Sequence, residues 1–393
     1  MLDISFSNWY QVKHNTMKKN YIYTGRFVKV FLMLVFAAGF FQLKAQDPLF
    51  SQFYNNPIYY NPGYIGLNAG IRTRFSYRNQ WTGIPSPYKT YTFSMDMAER
   101  AIPGSGGIGL IATSDKAGSA SIKATNIGIG TSARIPIYDN MVAQMGFMVS
   151  YAQKALNWDE LVFTNELNAR YGRIYPSEFI PGESNTVSYP DFSVGGVYRF
   201  AETGLNNSNI QGTLGLAVHH VFQPNESFLG QSSPLPRKIV INGDLVIEME
   251  QGGRPSSYRS YRSGGSSFKF NPGFQYEKQS EFSTYSIGLN VLKSSIYLGA
   301  WFRNRTFNFF EAQDAIFTVG VNAPWSKDSR MKIMYSYDYI IQSNLNTAAR
   351  SSHEISLVFE FDTFSLFGGA GGGGGYSSGY RGGRVREMDC CPF

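Results

Sequence analysis

Cysteine is almost absent from this chain: of 393 residues only Cys390 and Cys391 carry a thiol. No disulfide framework can hold the body of such a protein together. The pair could join two chains in an oxidising compartment or stay inert. Charge is scarce as well. Asp, Glu, Lys and Arg make up 16% of the residues, against roughly 25% in soluble domains. There are only four histidines, a thin supply for metal or acid–base chemistry. After residue 45 no apolar run approaches the ~18 residues that announce a spanning helix. What is abundant is Tyr (26), Phe (31) and Gly (41). Few charges with many aromatics and glycines describe a sheet-rich, membrane-embedded chain better than a cytosolic enzyme.

The first residues have the plan of a secretory leader. Lys18, Lys19, Arg26 and Lys29 precede an apolar run from Phe31 to Phe41, and Leu43-Lys44-Ala45 follows. The run suits a signal h-region and is too short to span a bilayer as a helix. The reading is a leader over residues 1–45, a start at Met17 and a mature chain from Gln46. The leader carries Lys13, Lys18, Lys19, Arg26, Lys29 and Lys44 against Asp3, so the net charge falls from +7 to +7 − 5 = +2 without it. The pI of 9.1 therefore belongs largely to the leader. It gives no reason to expect nucleic acid as a partner, and no basic stripe does either.

Beyond the leader the dominant signal has a period of two. In His353-Glu354-Ile355-Ser356-Leu357-Val358-Phe359-Glu360-Phe361, Ile355, Leu357, Phe359 and Phe361 point one way, and Glu354, Ser356, Val358 and Glu360 the other. Such a segment crosses a bilayer as a tilted strand, apolar to lipid and polar to a lumen. Similar alternation recurs from about residue 70. It predicts fourteen strands, near 71–79, 88–97, 108–114, 121–133, 141–153, 189–199, 211–220, 238–249, 267–276, 285–292, 295–303, 314–321, 331–339 and 353–361. Pro85-Ser86-Pro87, Asp115-Lys116-Ala117-Gly118 and Gln251-Gly252-Gly253 are among the turn signals between them. The expected fold is all-β, a transmembrane outer-membrane β-barrel of about 14 antiparallel strands over 71–361. An even strand count puts both barrel ends on the periplasmic side. The longest outer connection, 154–188, opens with Trp158-Asp159-Glu160-Leu161 and could form a short helix. Residues 250–266, rich in Gly, Ser and Arg, are expected to be a long inner turn.

Charges share the face of the small polar residues: Arg72, Arg74, Arg78, Asp96, Lys332, Asp338 and Glu354. In a closed barrel the last strand pairs with the first. That predicts ion pairs across the seam between Glu354 and Glu360 and the arginines of strand 71–79. The plainer reading is that these charges only satisfy one another in a narrow lumen. Residues 46–70 hold two Asn-Pro steps, which exclude a regular helix or central strand. Their aromatics argue against disorder, so a strap packed in or under the barrel is expected. Residues 362–393 form a Gly-rich, flexible periplasmic tail.

Chemical motifs are weak. Gly104, Gly106 and Gly109, and Gly128, Gly130 and Ala133, match dinucleotide fingerprints on paper, but neither set opens a helix that could hold a pyrophosphate. Both read as strand glycines. His353-Glu354 begins like a zinc-protease motif, yet Leu357 stands where the second His belongs. On a strand, neighbours also face opposite sides, which applies equally to His219 and His220. No nucleophile elbow is present. No catalytic, cofactor-binding or metal residues are assigned. A barrel lipase using His219 or His220 stays a distant alternative.

The landmarks along the strands resemble one family, the PorP/SprF outer-membrane proteins. They run from Asp47-Pro48-Leu49-Phe50-Ser51-Gln52-Phe53 and Asn61-Pro62-Gly63-Tyr64-Ile65-Gly66 through Tyr77-Arg78-Asn79-Gln80-Trp81. Pro190-Asp191-Phe192-Ser193, Gly215-Leu216-Ala217-Val218-His219-His220, Tyr335-Ser336-Tyr337-Asp338 and Ser352-His353-Glu354-Ile355 follow. Their shared order over about 300 residues carries the resemblance. It implies a non-enzymatic barrel of the type IX secretion system, supporting export or surface anchoring of a gliding adhesin or similar cargo. The implied partners are the lipid bilayer, the cargo and the secretion and gliding components of the periplasm and outer membrane. It supplies no catalytic residues to carry over. The competing reading is an outer-membrane channel for small solutes, since a barrel of this size can hold an open lumen or a plug.

Overall fold

A computed structural model describes residues 47–99, 104–118, 122–138, 140–177, 185–203, 208–250, 267–305, 313–326, 329–341 and 349–362. The leader, the inner turn 251–266, the tail from residue 363 and the two cysteines lie outside the described residues.

The period-two segments become strands. They are β1 (Ile71–Gln80), β2 (Tyr88–Ala98), β3 (Ser105–Ala117), β4 (Ile122–Tyr138), β5 (Met141–Ala155), β6 (Leu167–Asn168), β7 (Gly172–Arg173), β8 (Thr186–Thr203), β9 (Asn209–His219), β10 (Lys238–Glu250), β11 (Ser267–Gln279), β12 (Phe282–Lys293), β13 (Ile296–Asn304), β14 (Asp314–Ser326), β15 (Ser329–Ile340) and β16 (Ser352–Phe361). All but β6 and β7 form one closed, antiparallel, fourteen-stranded barrel in which β16 pairs with β1. The short β6–β7 ladder is a separate sheet within the connection from β5 to β8.

Alternation sorts the side chains as a lipid-facing wall requires. In β16, Glu354, Ser356, Val358 and Glu360 are buried towards the lumen, and Ile355 and Phe361 are exposed outward. In β9, Thr213 and Ala217 face in and Leu214 and Leu216 face out. Outward aromatics meet across neighbouring strands: Phe75 with Phe93 at 4.8 Å, Tyr77 with Tyr91 at 4.9 Å, and Tyr276 with Tyr285 at 4.7 Å between ring centroids. Directly opposed pairs of this kind stabilise a sheet by about 0.2–1 kcal/mol each.

The start of β1 and the end of β16 lie at one end of the barrel, here called the terminal end. The long connections 156–185 and 220–237 lie at the other, the loop end. Trp158-Asp159-Glu160-Leu161, where a short helix is expected, forms only a single 3₁₀ turn, Trp158–Glu160. A second 3₁₀ turn covers Thr164–Glu166. Segments this short cannot offset the entropy of nucleating an α-helix, and no apolar stripe compensates.

The hydrophobic core sits inside the barrel, built between its wall and the strap. The strap begins at the loop end and descends to Gly70, whose carbonyl accepts a hydrogen bond from the Ala98 amide at 3.0 Å. Each Asn-Pro step breaks the extended chain and opens a helical turn, Pro57–Tyr60 and Pro62–Tyr64. Proline fits there because the first turn needs no N–H and its fixed φ suits the helix. Asn61 Oδ1 caps the second turn by accepting from Gly63 N at 2.7 Å. Phe50 and Tyr60 pack on Ala217 and Val240. Ile58 and Ile65 pack on Ile111 and Met148. Full burial of each large apolar side chain is worth about 1.5–3 kcal/mol. Apolar residues thus occupy inward positions of the wall where the strap lies against them.

Candidate functional site

The strap is held at three levels, and the residues marked in the sequence fall on two of them. Near the loop end, β1, β13, β15 and β16 converge on Ser51 and Gln52. Arg78 and Glu354 are directly opposed across the seam, with Arg78 Nη1 3.2 Å from Glu354 Oε2. Arg78 Nη2 lies 2.8 Å from Asp338 Oδ2, which also receives Arg303 Nη2 at 2.7 Å. Both carboxylates then reach the strap. The Ser51 amide donates to Glu354 at 2.6 Å and the Ser51 hydroxyl to Asp338 at 2.5 Å. Arg78 also contacts the Ser51 hydroxyl. Gln52 donates to the Glu354 carbonyl at 3.1 Å and to Ser336 at 3.2 Å. Arg78, Asp338 and Glu354 are almost wholly buried. Removing one member of such a cluster leaves an unpaired charge, at a cost of about 3–5 kcal/mol.

At the terminal end, Arg72 is opposite Glu360, 3.7 Å away, and bonds Asp362 at 2.8 Å. Arg330 reaches the same two carboxylates, and Lys332 bonds Glu360 at 2.9 Å. Arg74 meets Asp96 at 2.5 Å, and Asp96 accepts from the Gly66 amide of the strap at 2.9 Å. The charged lumen is therefore more than a self-satisfied set. Glu354, Asp338 and Asp96 each bond a partner arginine and the strap.

The third level anchors the beginning of the strap and was not marked as a site in the sequence. His220 lies between two carboxylates, Asp191 at 2.9 Å through Nδ1 and Asp47 at 2.9 Å through Nε2. The Asp47 amide donates to Gln279 Oε1 at 3.0 Å. Burial alone would lower the His220 pKa, but Asp47 and then Asp191 outweigh it and push the value up to about 10. Burial would raise the Asp47 carboxyl, yet His220 and Lys238 hold it well below the usual carboxylate range. His219 turns to the strap separately, with Nε2 2.9 Å from the Tyr60 carbonyl oxygen and Nδ1 3.0 Å from Ser193 Oγ. Only a doublet of histidines at the end of β9, with Asp191 on the neighbouring strand β8, hinted at this level, and only the strap makes it a site.

The other marked residues divide by face. His353 points outward, 2.7 Å from the Tyr335 hydroxyl, while Glu354 points inward. Tyr77 is outward with Tyr91. Gln80 accepts from Arg78 Nε at 3.4 Å. Trp81, at a positive φ of 59°, donates its amide to Ser352 Oγ at 3.3 Å and stacks edge-on to Tyr88. Of the glycines in the apparent dinucleotide motifs, Gly106 and Gly109 in β3 and Gly128 and Gly130 in β4 are strand residues, whereas Gly104, expected in a strand, sits in the turn before β3 at a positive φ of 81°. Chemically the whole arrangement retains a polypeptide plug: ions fix its start, hydrogen bonds its middle and apolar contacts its turns.

Known proteins give this architecture a context. A comparison with curated proteins finds no match. Solved structures similar to the chain include the outer membrane protein Omp33 of Acinetobacter baumannii, at 8% identity over 76% of this chain and 99% of that one, with a TM-score of 0.33. The β domain of the Bordetella autotransporter Brka is 12% identical over 75% and 98%, with a TM-score of 0.36. A Pseudomonas aeruginosa FadL homologue is 9% identical over 77% and 92%, with a TM-score of 0.35. The family model for the type IX secretion system membrane protein PorP/SprF matches residues 42–359. That span includes all fourteen barrel strands, but for the last two residues of β16, and the entire strap; the chain belongs to the PorP/SprF family of type IX secretion system membrane proteins.

Proposed function

We propose that this protein is a non-enzymatic outer-membrane component of the type IX secretion system that supports export or surface anchoring of a large cargo protein, such as a gliding adhesin. The observation that carries the reading is the strap. It crosses the lumen and bonds or packs against the wall from β1 round to β16, so the barrel is built to hold rather than to conduct. The same plug weighs against a channel for small solutes.

In this reading the loop end faces outside and the terminal end faces the periplasm. Residues 156–177 and 220–237 carry exposed Val162, Tyr171, Ile174, Tyr175 and Leu229, an apolar surface suited to protein contact. These loops grip the cargo, and periplasmic machinery meets the terminal end and the tail. Aromatics at strand ends seat the barrel at the two interfaces.

The test is deletion of the gene, with surface adhesin measured by antibody labelling of whole cells. Loss of labelling, restored by the full chain but not by a variant lacking 158–177, is the expected result. An adhesin still exported and attached in the deletion strain sinks the proposal.

A further inference from the structure

Lysines stand side by side on the outer wall at the loop end. Lys89 of β2 is directly opposite Lys116 of β3, and Lys116 is directly opposite Lys123 of β4. All of them are exposed. Alternation points them outward: Thr90 and Asp115, the sequence neighbours of Lys89 and Lys116, bond each other at 2.6 Å on the lumen side. Each lysine also ends the lipid-facing positions of its strand. On β2 these run Met97, Met95, Phe93 and Tyr91, then Lys89; on β4 they run Ile129, Ile127 and Thr125, then Lys123. The row therefore stands at the edge of the apolar band.

Other lysines are placed differently. Lys154, Lys238, Lys269 and Lys332 meet the carboxylates of Glu226, Glu277, Glu248 and Glu360 respectively. Lys278, outward on β11 at the same end, has uncharged Ile239 and Ser283 as its cross-strand neighbours. Among the described residues no carboxylate pairs with Lys89, Lys116 or Lys123. Neighbouring strands are about 4.8 Å apart, and like charges directly opposed across a ladder destabilise it. An anion with several negative charges offsets that repulsion.

At the rim of an outer-membrane barrel the abundant polyanion is a phosphorylated lipid headgroup. Lysine stems lie along an apolar wall to bring their ammonium groups to that level. The wall next to the row also suits a lipid tail. Ala112 and Ser114 of β3 lie between Phe93 and Tyr91 of β2 and Ile127 and Thr125 of β4. Small side chains between larger ones leave a furrow along β3 that leads away from the lysines.

We propose that Lys89, Lys116 and Lys123 bind the phosphates of an outer-leaflet glycolipid, one acyl chain of which lies in the furrow over Ala112 and Ser114. The assignment to the outer leaflet rests on the reading that the loop end faces outside.

The experiment is native mass spectrometry of the full mature chain in lauryldimethylamine oxide with bis-phosphorylated lipid A and, in parallel, its dephosphorylated form. Saturable binding of the phosphorylated lipid is expected, with the dephosphorylated form much weaker. Combining Lys89→Gln, Lys116→Gln and Lys123→Gln should weaken binding about a hundredfold, roughly fivefold for each lysine at an anionic lipid surface. Ala112→Phe, which fills the furrow, should weaken it with the lysines intact, and Lys278→Gln should leave it unchanged. Heat-modifiable gel migration reports that each variant is folded. Equal binding of the dephosphorylated lipid overturns the proposal. So does unchanged binding in the folded triple or Ala112 variant, or an equal loss in Lys278→Gln. Displacement of the lipid by inorganic phosphate assigns the row to the free ion and overturns it too. Orientation is read separately on whole cells, from labelling of Leu229→Cys by a membrane-impermeant maleimide in a chain carrying Cys390→Ser and Cys391→Ser. Labelling is expected. Its absence overturns the outer-leaflet assignment together with the reading it rests on, whereas lost lipid binding with normal labelling overturns this site alone.

Discussion

Gly146 has no side chain at the point where Pro62 crosses the inner wall of β5. A Cβ at Gly146 would stand 2.0 Å from the Pro62 carbonyl oxygen and 2.6 Å from the Gly63 nitrogen. No real Cβ tolerates that approach, and the atoms it meets are backbone that cannot swing aside. The glycine is what lets the strap lie against the strand.

Gly146→Leu is therefore expected to expel the second helical turn of the strap while leaving the outward faces of β5 unchanged. The measurement is hydrogen exchange of the amides of residues 61 and 63–67. They should exchange much faster than in the parent chain, with the barrel strands still protected. Protection equal to the parent's would show that the strap can seat without this gap.

Closure by the strap predicts an electrical outcome. The parent protein in planar bilayers should show no steady conductance, and a variant lacking residues 47–66 should show open, ion-conducting states. Steady openings of the parent chain would contradict a closed lumen and favour the solute-channel reading.

Glu354 and His353 are adjacent in sequence but differ in environment. Glu354→Ala leaves Arg78 in a buried site without one of its two carboxylates and frees the Ser51 amide. It should cost about 3–5 kcal/mol in urea unfolding. His353→Ala removes an outward contact with Tyr335 and should cost under about 1 kcal/mol. Equal losses would mean that the two residues are not on opposite faces.

The Asp47–His220 clamp gives a pH dependence with a definite sign. The His220 pKa is raised in the folded protein from 6.5 to about 10. Its contribution is complete below pH 6.5 and is lost as pH rises through about 10. Asp47 is depressed, so its contribution is present above its ordinary value of 3.8 and is lost only in stronger acid. The beginning of the strap should thus be held between about pH 4 and 10. Accessibility of a cysteine placed at position 49 (Leu49→Cys) to a membrane-impermeant maleimide should rise towards pH 10. His220→Gln should show the high accessibility already at pH 7, and accessibility that stays flat in both proteins would remove the clamp from the account.

The sequence by itself determined the wall. Strict alternation in segments such as 353–361 and 331–339 leaves one arrangement in which charges avoid lipid, and an even number of such strands closes with β16 on β1. Register followed, because a slip of one residue would have turned Glu354 and Glu360 outward. The strap escaped that logic. Asn56-Pro57 and Asn61-Pro62 told what residues 46–70 could not be, but no period places an irregular segment. Apolar Ile111, Met148 and Val240 at lumen-facing positions, and glycine at 146, were the traces it left in the wall. Those traces become readable only when distant strands stand side by side. Tertiary structure alone decided that the strap starts at the loop end beside His220, that Ser51 bridges Asp338 and Glu354, and that the strap lies inside the lumen. Each depends on contacts between groups up to about 300 residues apart, which local sequence chemistry does not encode.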